Sequence, residues 1–97
     1  MKFAYLVLGK FDKDDRAIIH DGSAQIIGVN SIDEAIKEAR RLVNEEDIYS
    51  IELCGAFQDE GARKIIEAVD NKIPIGYVTY LEEQRDVCRA FFPNDGF

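Results

Sequence analysis

The sequence is poor in the residues that build metal centres and disulfide frameworks. Its 97 residues include one histidine, His20, and two cysteines, Cys54 and Cys88. A metal site needs three or four converging ligands, and two distant cysteines cannot form a disulfide framework or a paired zinc knuckle. The sequence therefore predicts no metal site, and the few cysteines favour a cytoplasmic location in which thiols stay reduced.

Basic charge and long apolar runs are also scarce. The 12 basic residues are outnumbered by 19 acidic ones, which gives a net charge of −7. The densest basic step, Arg40-Arg41, is flanked by glutamates, so no basic stripe could neutralise phosphates. The apolar stretch at the start is too short for a membrane span or a signal peptide. The sequence predicts neither a nucleic-acid partner nor a membrane partner.

What the chain does contain is an apolar content of 46%, with six Phe and four Tyr, which is ample for a core. Its length suits one domain, residues 1–97. Apolar segments with the pattern of strands lie at 2–8, 17–20, 24–29, 48–54 and 73–79. The first is apolar almost throughout, as in a strand covered on both faces. Residues 17–29 could form a hairpin or an irregular crossover.

Helical periodicity separates these strands. Ser31 and Glu34 form a capping box, and the helix that they begin should end near Asn44. Similar periodicity predicts a second helix over 57–69 and a short third one over 82–92, with residues 93–97 as a tail. The predicted fold is therefore α/β, with a single small, mostly parallel sheet of four to five strands, two main crossover helices and a short C-terminal helix.

This order of elements predicts self-association. Right-handed crossovers that step in one direction place both main helices on the same face of the sheet. The other face must be covered by the C-terminal helix, by the loop after the first strand, or by a second chain. We expect a homodimer or a higher homo-oligomer. The C-terminal residues have the composition of interface anchors: Arg85, Arg89, Phe91, Phe92 and Phe97.

Motifs for dinucleotide binding, phosphate binding, zinc-protease activity and a nucleophile elbow are absent from the sequence. Glu52 is the most informative anomaly, because it lies inside a central strand on the face opposite Ile51 and Leu53. A carboxylate there could act as a general base near the carboxyl end of its strand. It could instead pair with an Arg or Lys of a partner subunit, or lie on a partly hydrated face, and structural ion pairs of this kind are the commoner case.

Further candidates lie at turns that follow strands. Cys54 could be a nucleophile or a redox-sensitive thiol, or simply a buried one. His20 could work with Glu52 in acid–base chemistry, or be a surface histidine beside the Asp21-Gly22 turn. Gly55, Thr79 and Tyr80 would lie at the same end of the sheet as Cys54 and could line a binding site.

Four segments carry a resemblance to a known group of proteins: 1–9, 20–29, 51–57 (IELCGAF) and 73–78. Together they resemble a family of prokaryotic proteins of about this length that is catalogued only as a domain of unknown function. The resemblance implies a compact cytoplasmic α/β domain and supplies neither catalytic residues nor a cofactor. We expect a small-molecule-binding or oligomeric structural module. The alternatives are a small enzyme of the lyase or isomerase type, with acid–base residues at the carboxyl ends of the strands, and a redox sensor based on Cys54.

Overall fold

A computed structural model describes residues 1–92. These residues form five strands, three α-helices and two short 3₁₀ turns, Gly55–Phe57 and Glu82–Gln84. The strands are β1 (Phe3–Leu8), β2 (Arg16–Ile19), β3 (Ala24–Val29), β4 (Ser50–Leu53) and β5 (Ile75–Tyr77); the helices are α1 (Ile32–Glu45), α2 (Gln58–Ala68) and α3 (Arg85–Phe91). The α/β fold with two main helices and a short C-terminal one is confirmed. The predicted tail, including Phe97, lies outside the described residues.

The strands form one sheet in the order β2-β3-β1-β4-β5. All neighbours are parallel except β2 and β3, so residues 17–29 form an antiparallel hairpin. His20, which the sequence places in a strand, instead begins the turn. His20, Asp21 and Gly22 all have left-handed backbone conformations, with φ of 51°, 54° and 91°. Such angles reverse the chain tightly and end the strand at Ile19.

The amino terminus of α1 shows why this helix could be predicted closely. The Ser31 side chain accepts a hydrogen bond from the backbone N–H of Glu34 at 3.1 Å. The Glu34 carboxylate reaches back to accept from the N–H of Asn30 at 3.2 Å, one residue before the donor of a standard capping box. Both contacts satisfy backbone donors that have no partner inside the helix.

Helices α1 and α2 lie side by side on one face of the sheet and enclose the core. Gly61 lets them approach closely, because a Cβ atom there would lie 3.1 Å from the Cβ of Phe57 and 3.5 Å from Cδ1 of Ile32. The fully buried core side chains come from the helix-facing sides of the strands and from both helices: Ala4, Leu6, Ile27, Val29, Ala35, Ala39, Leu42, Ile51, Leu53 and Ile65.

The opposite side of the sheet, here called the open face, carries no helix of this pair. Its side chains follow from strand alternation and register: Phe3, Tyr5, Val7, Ala17, Ile19, Ala24, Ile26, Gly28, Ser50, Glu52 and Gly76. The loop after β1 covers part of it, because the Phe11 ring packs over Gly28 and Gly9. Phe3 and Ile26 nevertheless stay 42% and 43% exposed. The expectation that β1 is covered on both faces is therefore met only in part within one chain.

Candidate functional site

Two side chains that can take part in acid–base chemistry lie on the open face, Tyr5 in the middle of β1 and Glu52 one residue before the end of β4. Tyr5 and Glu52 are direct partners in the register of these parallel strands. The Glu52 carboxylate extends over the next strand, because a Cβ atom on Gly76 would lie 2.9 Å from its Oε2. A residue with a side chain at position 76 would occupy this space. Gly76 therefore allows the carboxylate to lie over β5, on the side of β4 that faces away from Tyr5.

Cys54 follows the last residue of β4 and ties that strand end to β1. Its backbone N–H donates to the carbonyl of Leu6 at 3.0 Å, and the N–H of Leu8 donates to its Sγ at 3.2 Å. The thiol is partly buried and free, and so is the thiol of Cys88, which is buried in α3. These two hydrogen bonds hold Cys54 at the carboxyl end of β4, with its sulfur accepting from a backbone N–H.

Electrostatics links four of these groups. Burial raises the pKa of Tyr5 above its usual value, and the nearby Cys54, Tyr80 and Glu52 raise this pKa further. A phenol in such surroundings favours its neutral form, because a phenolate would be poorly hydrated and would lie near other acidic groups. We call Tyr5, Glu52, Cys54 and Tyr80 the strand-end cluster.

The loop after β5 brings the predicted binding residues to the end of the sheet where the parallel strands have their carboxyl ends. Gly55 lies close to the carbonyl of Val78, where an added Cβ atom would meet the oxygen at 3.4 Å. Thr79 and Tyr80 continue this loop and are exposed. The Tyr80 ring stacks on that of Phe92, with centroids 6.1 Å apart and planes at 28°. The C-terminal segment, defined here as residues 80–92, therefore reaches the strand-end cluster through an aromatic pair.

His20 lies at the other end of the sheet. The turn that contains it precedes Ala24, whose register partner is Phe3, so it is at the amino ends of the parallel strands. Its hairpin strand β2 is also separated from β4 by three strand spacings, about 14 Å. His20 is exposed. Glu52 and Cys54 therefore lie two residues apart at the end of β4, with Cys54 packed against the core, and His20 lies away from both.

The topology around the cluster is typical of ligand sites in open α/β sheets. The loop after β1 crosses the open face, where Phe11 packs on Gly28. The 3₁₀ turn after β4 leads in the opposite direction, into α2 on the helical face. Adjacent strands whose connections leave toward opposite sides create a crevice at their carboxyl ends, which is where such sheets bind ligands.

Two members of this arrangement were not identified from the sequence. Tyr5 lies in a continuous apolar run, which is typical of residues packed in a core. Gly76 lies in a predicted strand, where nothing in the sequence marks it as special. Both become significant only through their register with Glu52. Strand register depends on contacts between distant parts of the chain, so no local signal could have indicated them.

A separate polar network lies on the helical side. The Arg41 guanidinium contacts the carboxylates of Glu38 and Glu46, and Arg16 of β2 donates to Glu38 at 2.6 Å. The buried Gln25 donates to Glu46 at 3.1 Å. Hydrogen bonds from Arg41 and Gln25 hold the pKa of Glu46 below its usual value. This network joins α1 to the β2–β3 hairpin and has a structural role.

Neither a metal centre nor a membrane span is found in the described part of the chain. Across residues 1–92, His, Cys, Asp and Glu side chains nowhere converge in a group of three or more that could hold a metal ion. The helices within the same residues are also too short or too polar to cross a bilayer.

Comparison with known proteins identifies a family without assigning an activity. A sequence model of the family of unknown function DUF6506 matches residues 1–93. No curated protein and no solved structure shows significant similarity to the chain. Because the match spans nearly the whole chain, the protein belongs to this family. The resemblance to a family with no assigned function is confirmed.

Proposed function

We propose that this member of DUF6506 is a non-catalytic homodimeric module that pairs through the open face of its sheet. The observation that carries the proposal is an apolar, partly exposed surface on a strongly charged protein. Phe3 and Ile26 keep 42% and 43% of their surfaces exposed, and Ile19 on the edge strand keeps 52%. Contiguous exposed apolar surface of this kind marks an interaction site.

The open face is also depleted of charge. Charged residues make up 32% of the chain. Within the five strands of the described chain, however, Glu52 is the one charged residue on this face. Protein interfaces are depleted of charge at their centres in the same way. A partner with the same net charge of −7 can be accommodated only where the contact surface is almost neutral, so the open face suits a second copy.

The area of the sheet indicates how far the interface must extend. Each strand residue covers about 16 Å² of sheet, so the open face measures at most on the order of 370 Å² in flat projection, and the loop after β1 covers part of it. A stable interface buries about 800 Å² of accessible surface on each partner. The sheet supplies the centre of such an interface, and neighbouring apolar surface must supply the remainder.

The C-terminal segment provides this additional surface. It is continuous with the open face through Tyr80, which influences Tyr5 electrostatically and stacks on Phe92. It exposes large apolar side chains among its charged ones, with Phe91 75% exposed and Leu81 69% exposed. Apolar and aromatic residues of this kind form the centres of homodimer interfaces. We include the segment in the proposed interface.

The alternative of a lyase or isomerase depends on an acid–base pair. His20 is the sole histidine and is far from Glu52, so the pair considered from the sequence does not form within one chain. A redox role for Cys54 would require an accessible, activated thiol; the Cys54 thiol is partly buried. The arrangement therefore favours a binding and assembly role over catalysis.

We further propose a cytoplasmic location. Cys54 and Cys88 are both free, and Cys88 is buried. Thiols of this kind persist where the environment is reducing. Measuring free thiols in protein from fractionated cells tests this, because oxidised thiols or recovery outside the cytoplasm would contradict it.

Light scattering during size-exclusion chromatography tests the dimer directly. The full chain has a mass of 11.0 kDa. The proposal predicts a particle of about twice this mass at micromolar concentration, converting to the monomer on dilution. A particle with the monomer mass over the whole concentration range would refute it.

A further inference from the structure

Helix α3 lacks the packing that a helix of its length needs. It has 7 residues, and helices this short are marginal in water without tertiary packing. Its backbone lies against the 3₁₀ turn that precedes it, and no strand or main helix of residues 1–92 runs closely alongside it. Cys88 is its one buried residue. Helix α3 therefore needs a surface that residues 1–92 of its own chain do not supply.

One side of α3 is suited to packing on an apolar surface. Val87 and Phe91 lie one helical turn apart and are both exposed. The charged residues of the helix, Arg85, Asp86 and Arg89, project more than about 100° away from this pair, because successive residues are about 100° apart around a helix. The helix therefore has an apolar side, which its own chain leaves in water, and a charged side.

The open face of the sheet is the surface that lacks a helix. Mostly parallel sheets are covered by helices on both faces, whereas α1 and α2 of this chain both lie on one face. Helix α3 is the one remaining α-helix among residues 1–92. The same chain thus has an uncovered sheet face, on which Phe3 and Ile26 are partly exposed, and an unpacked helix with an apolar side.

Charge also favours α3 as the element that covers this face. Glu52 is the one charged strand residue on the open face within the described chain. Of the three described helices, α3 alone carries more basic than acidic residues, with Arg85 and Arg89 against Asp86. A helix with a net positive charge would therefore meet a face with a net negative charge, and such complementarity favours one pairing of surfaces over others.

We propose that two copies exchange their C-terminal segments, so that α3 of each copy packs with Val87 and Phe91 on the open face of the other. This inference rests on the proposed dimer and specifies which surface of the second copy covers the sheet. The turn and helix over residues 82–91 are about 16 Å long and about 10 Å wide, so they add a footprint on the order of 160 Å². Exchange about a twofold axis buries both surfaces of both copies, which brings the interface closer to the area that a stable dimer needs.

Phe91→Ser in the full chain tests the contact, because Phe91 is exposed within its own chain and its loss should not unfold the monomer. Sedimentation velocity over a concentration series should show a dimer dissociation constant raised by at least about tenfold. Tyr49→Ser is the matched control, since it removes an exposed aromatic ring that precedes β4 and is not part of the open face. It should leave the constant within about threefold. Circular dichroism confirms that each variant is folded.

A mixture of two damaged copies distinguishes exchange from other interfaces. Ile26→Glu damages the open face, and Phe91→Ser damages α3. In an exchanged heterodimer, the intact α3 of the first variant meets the intact open face of the second, and both defects fall in the other contact. Each homodimer instead has a defect in both of its contacts. Native mass spectrometry separates these species by mass, and the heterodimer should exceed its statistical share several-fold.

The outcomes separate this inference from the proposed function. A dimer that Phe91→Ser leaves unchanged overturns the exchange and leaves the proposed open-face dimer standing. Weakened dimers that mix in statistical proportions do the same, because one open face then meets the other or α3 packs on the sheet of its own chain. A preferred heterodimer, with Tyr49→Ser unaffected, supports the exchange. A wild-type monomer at every concentration refutes both the exchange and the dimer.

Discussion

Substituting Ile26 with glutamate tests the open face, because Ile26 lies on β3 close to the centre of the proposed interface. The residue is 43% exposed in the monomer. Full burial of an isoleucine side chain is worth about 1.5–3 kcal/mol, so burying the remaining part contributes roughly 0.6–1.3 kcal/mol per copy. A twofold interface contains the residue twice, which gives about 1.3–2.6 kcal/mol for the dimer.

This free energy sets a lower limit on the expected effect of Ile26→Glu. A loss of about 1.3–2.6 kcal/mol corresponds to a roughly 10- to 80-fold weaker dimer. The introduced carboxylate adds to the loss, since it would be desolvated and would approach its symmetry mate. The dimer dissociation constant should therefore rise by at least about tenfold.

Ile18 supplies a matched control. It lies on edge strand β2, faces the helical side, and is 62% exposed. The change Ile18→Glu introduces the same charge in the same sheet and should leave the dimer constant within about threefold, as expected of surface substitutions worth at most about 0.5 kcal/mol. Sedimentation velocity over a concentration series measures both variants, with Tm recorded to confirm folding. Equal weakening by both substitutions, or no weakening by Ile26→Glu, would refute the reasoning.

Three further predictions concern the stability of the fold. In Gly28→Ala, the new Cβ would lie 2.7 Å from the Cβ of Phe11, so the loop after β1 must shift. The free energy of unfolding should fall by about 1–3 kcal/mol. An unchanged urea midpoint would contradict this. Ser31→Ala removes the α1 cap and should cost about 1 kcal/mol, measured by the same titration, whereas a neutral effect would show that the cap is dispensable. The hydrogen bond from Arg41 lowers the pKa of Glu46. The ionised Glu46 therefore stabilises the fold above its unfolded-state pKa, and this stabilisation is lost as the pH falls through the folded-state pKa. Glu46→Gln should flatten the acid limb of a Tm–pH profile, and an unchanged limb would contradict the assignment.

Local signals explain which parts of the fold could be predicted. Helix α1 has a capping box and a regular apolar stripe, and its bounds of Ile32–Glu45 agree closely with the prediction. Strand β3 matches its predicted bounds of Ala24–Val29. The sequence did not distinguish a hairpin from a crossover over residues 17–29, because the turn depends on left-handed conformations at His20 and Asp21. These residue types adopt that conformation only in particular contexts.

The candidate site was predictable only in part, for a physical reason. Glu52 and Cys54 stand out locally, since one breaks an apolar pattern and the other follows a strand. Tyr5 is distant from them in the chain and joins them through the β1–β4 register. The separation of His20 likewise follows from β2 pairing with β3 at the far edge of the sheet. Such pairings are set by tertiary packing, to which a single sequence gives no direct access.

Isotope-filtered NMR on a mixture of labelled and unlabelled copies tests the central claim most directly. Nuclear Overhauser contacts between the two copies report which side chains meet across the interface. The account predicts intermolecular contacts from the methyl groups of Ile26 and Val7 on the open face, and none from those of Ile18. Intermolecular contacts confined to Ile18 and the helical face, or no such contacts at a concentration where the protein should be dimeric, would contradict it.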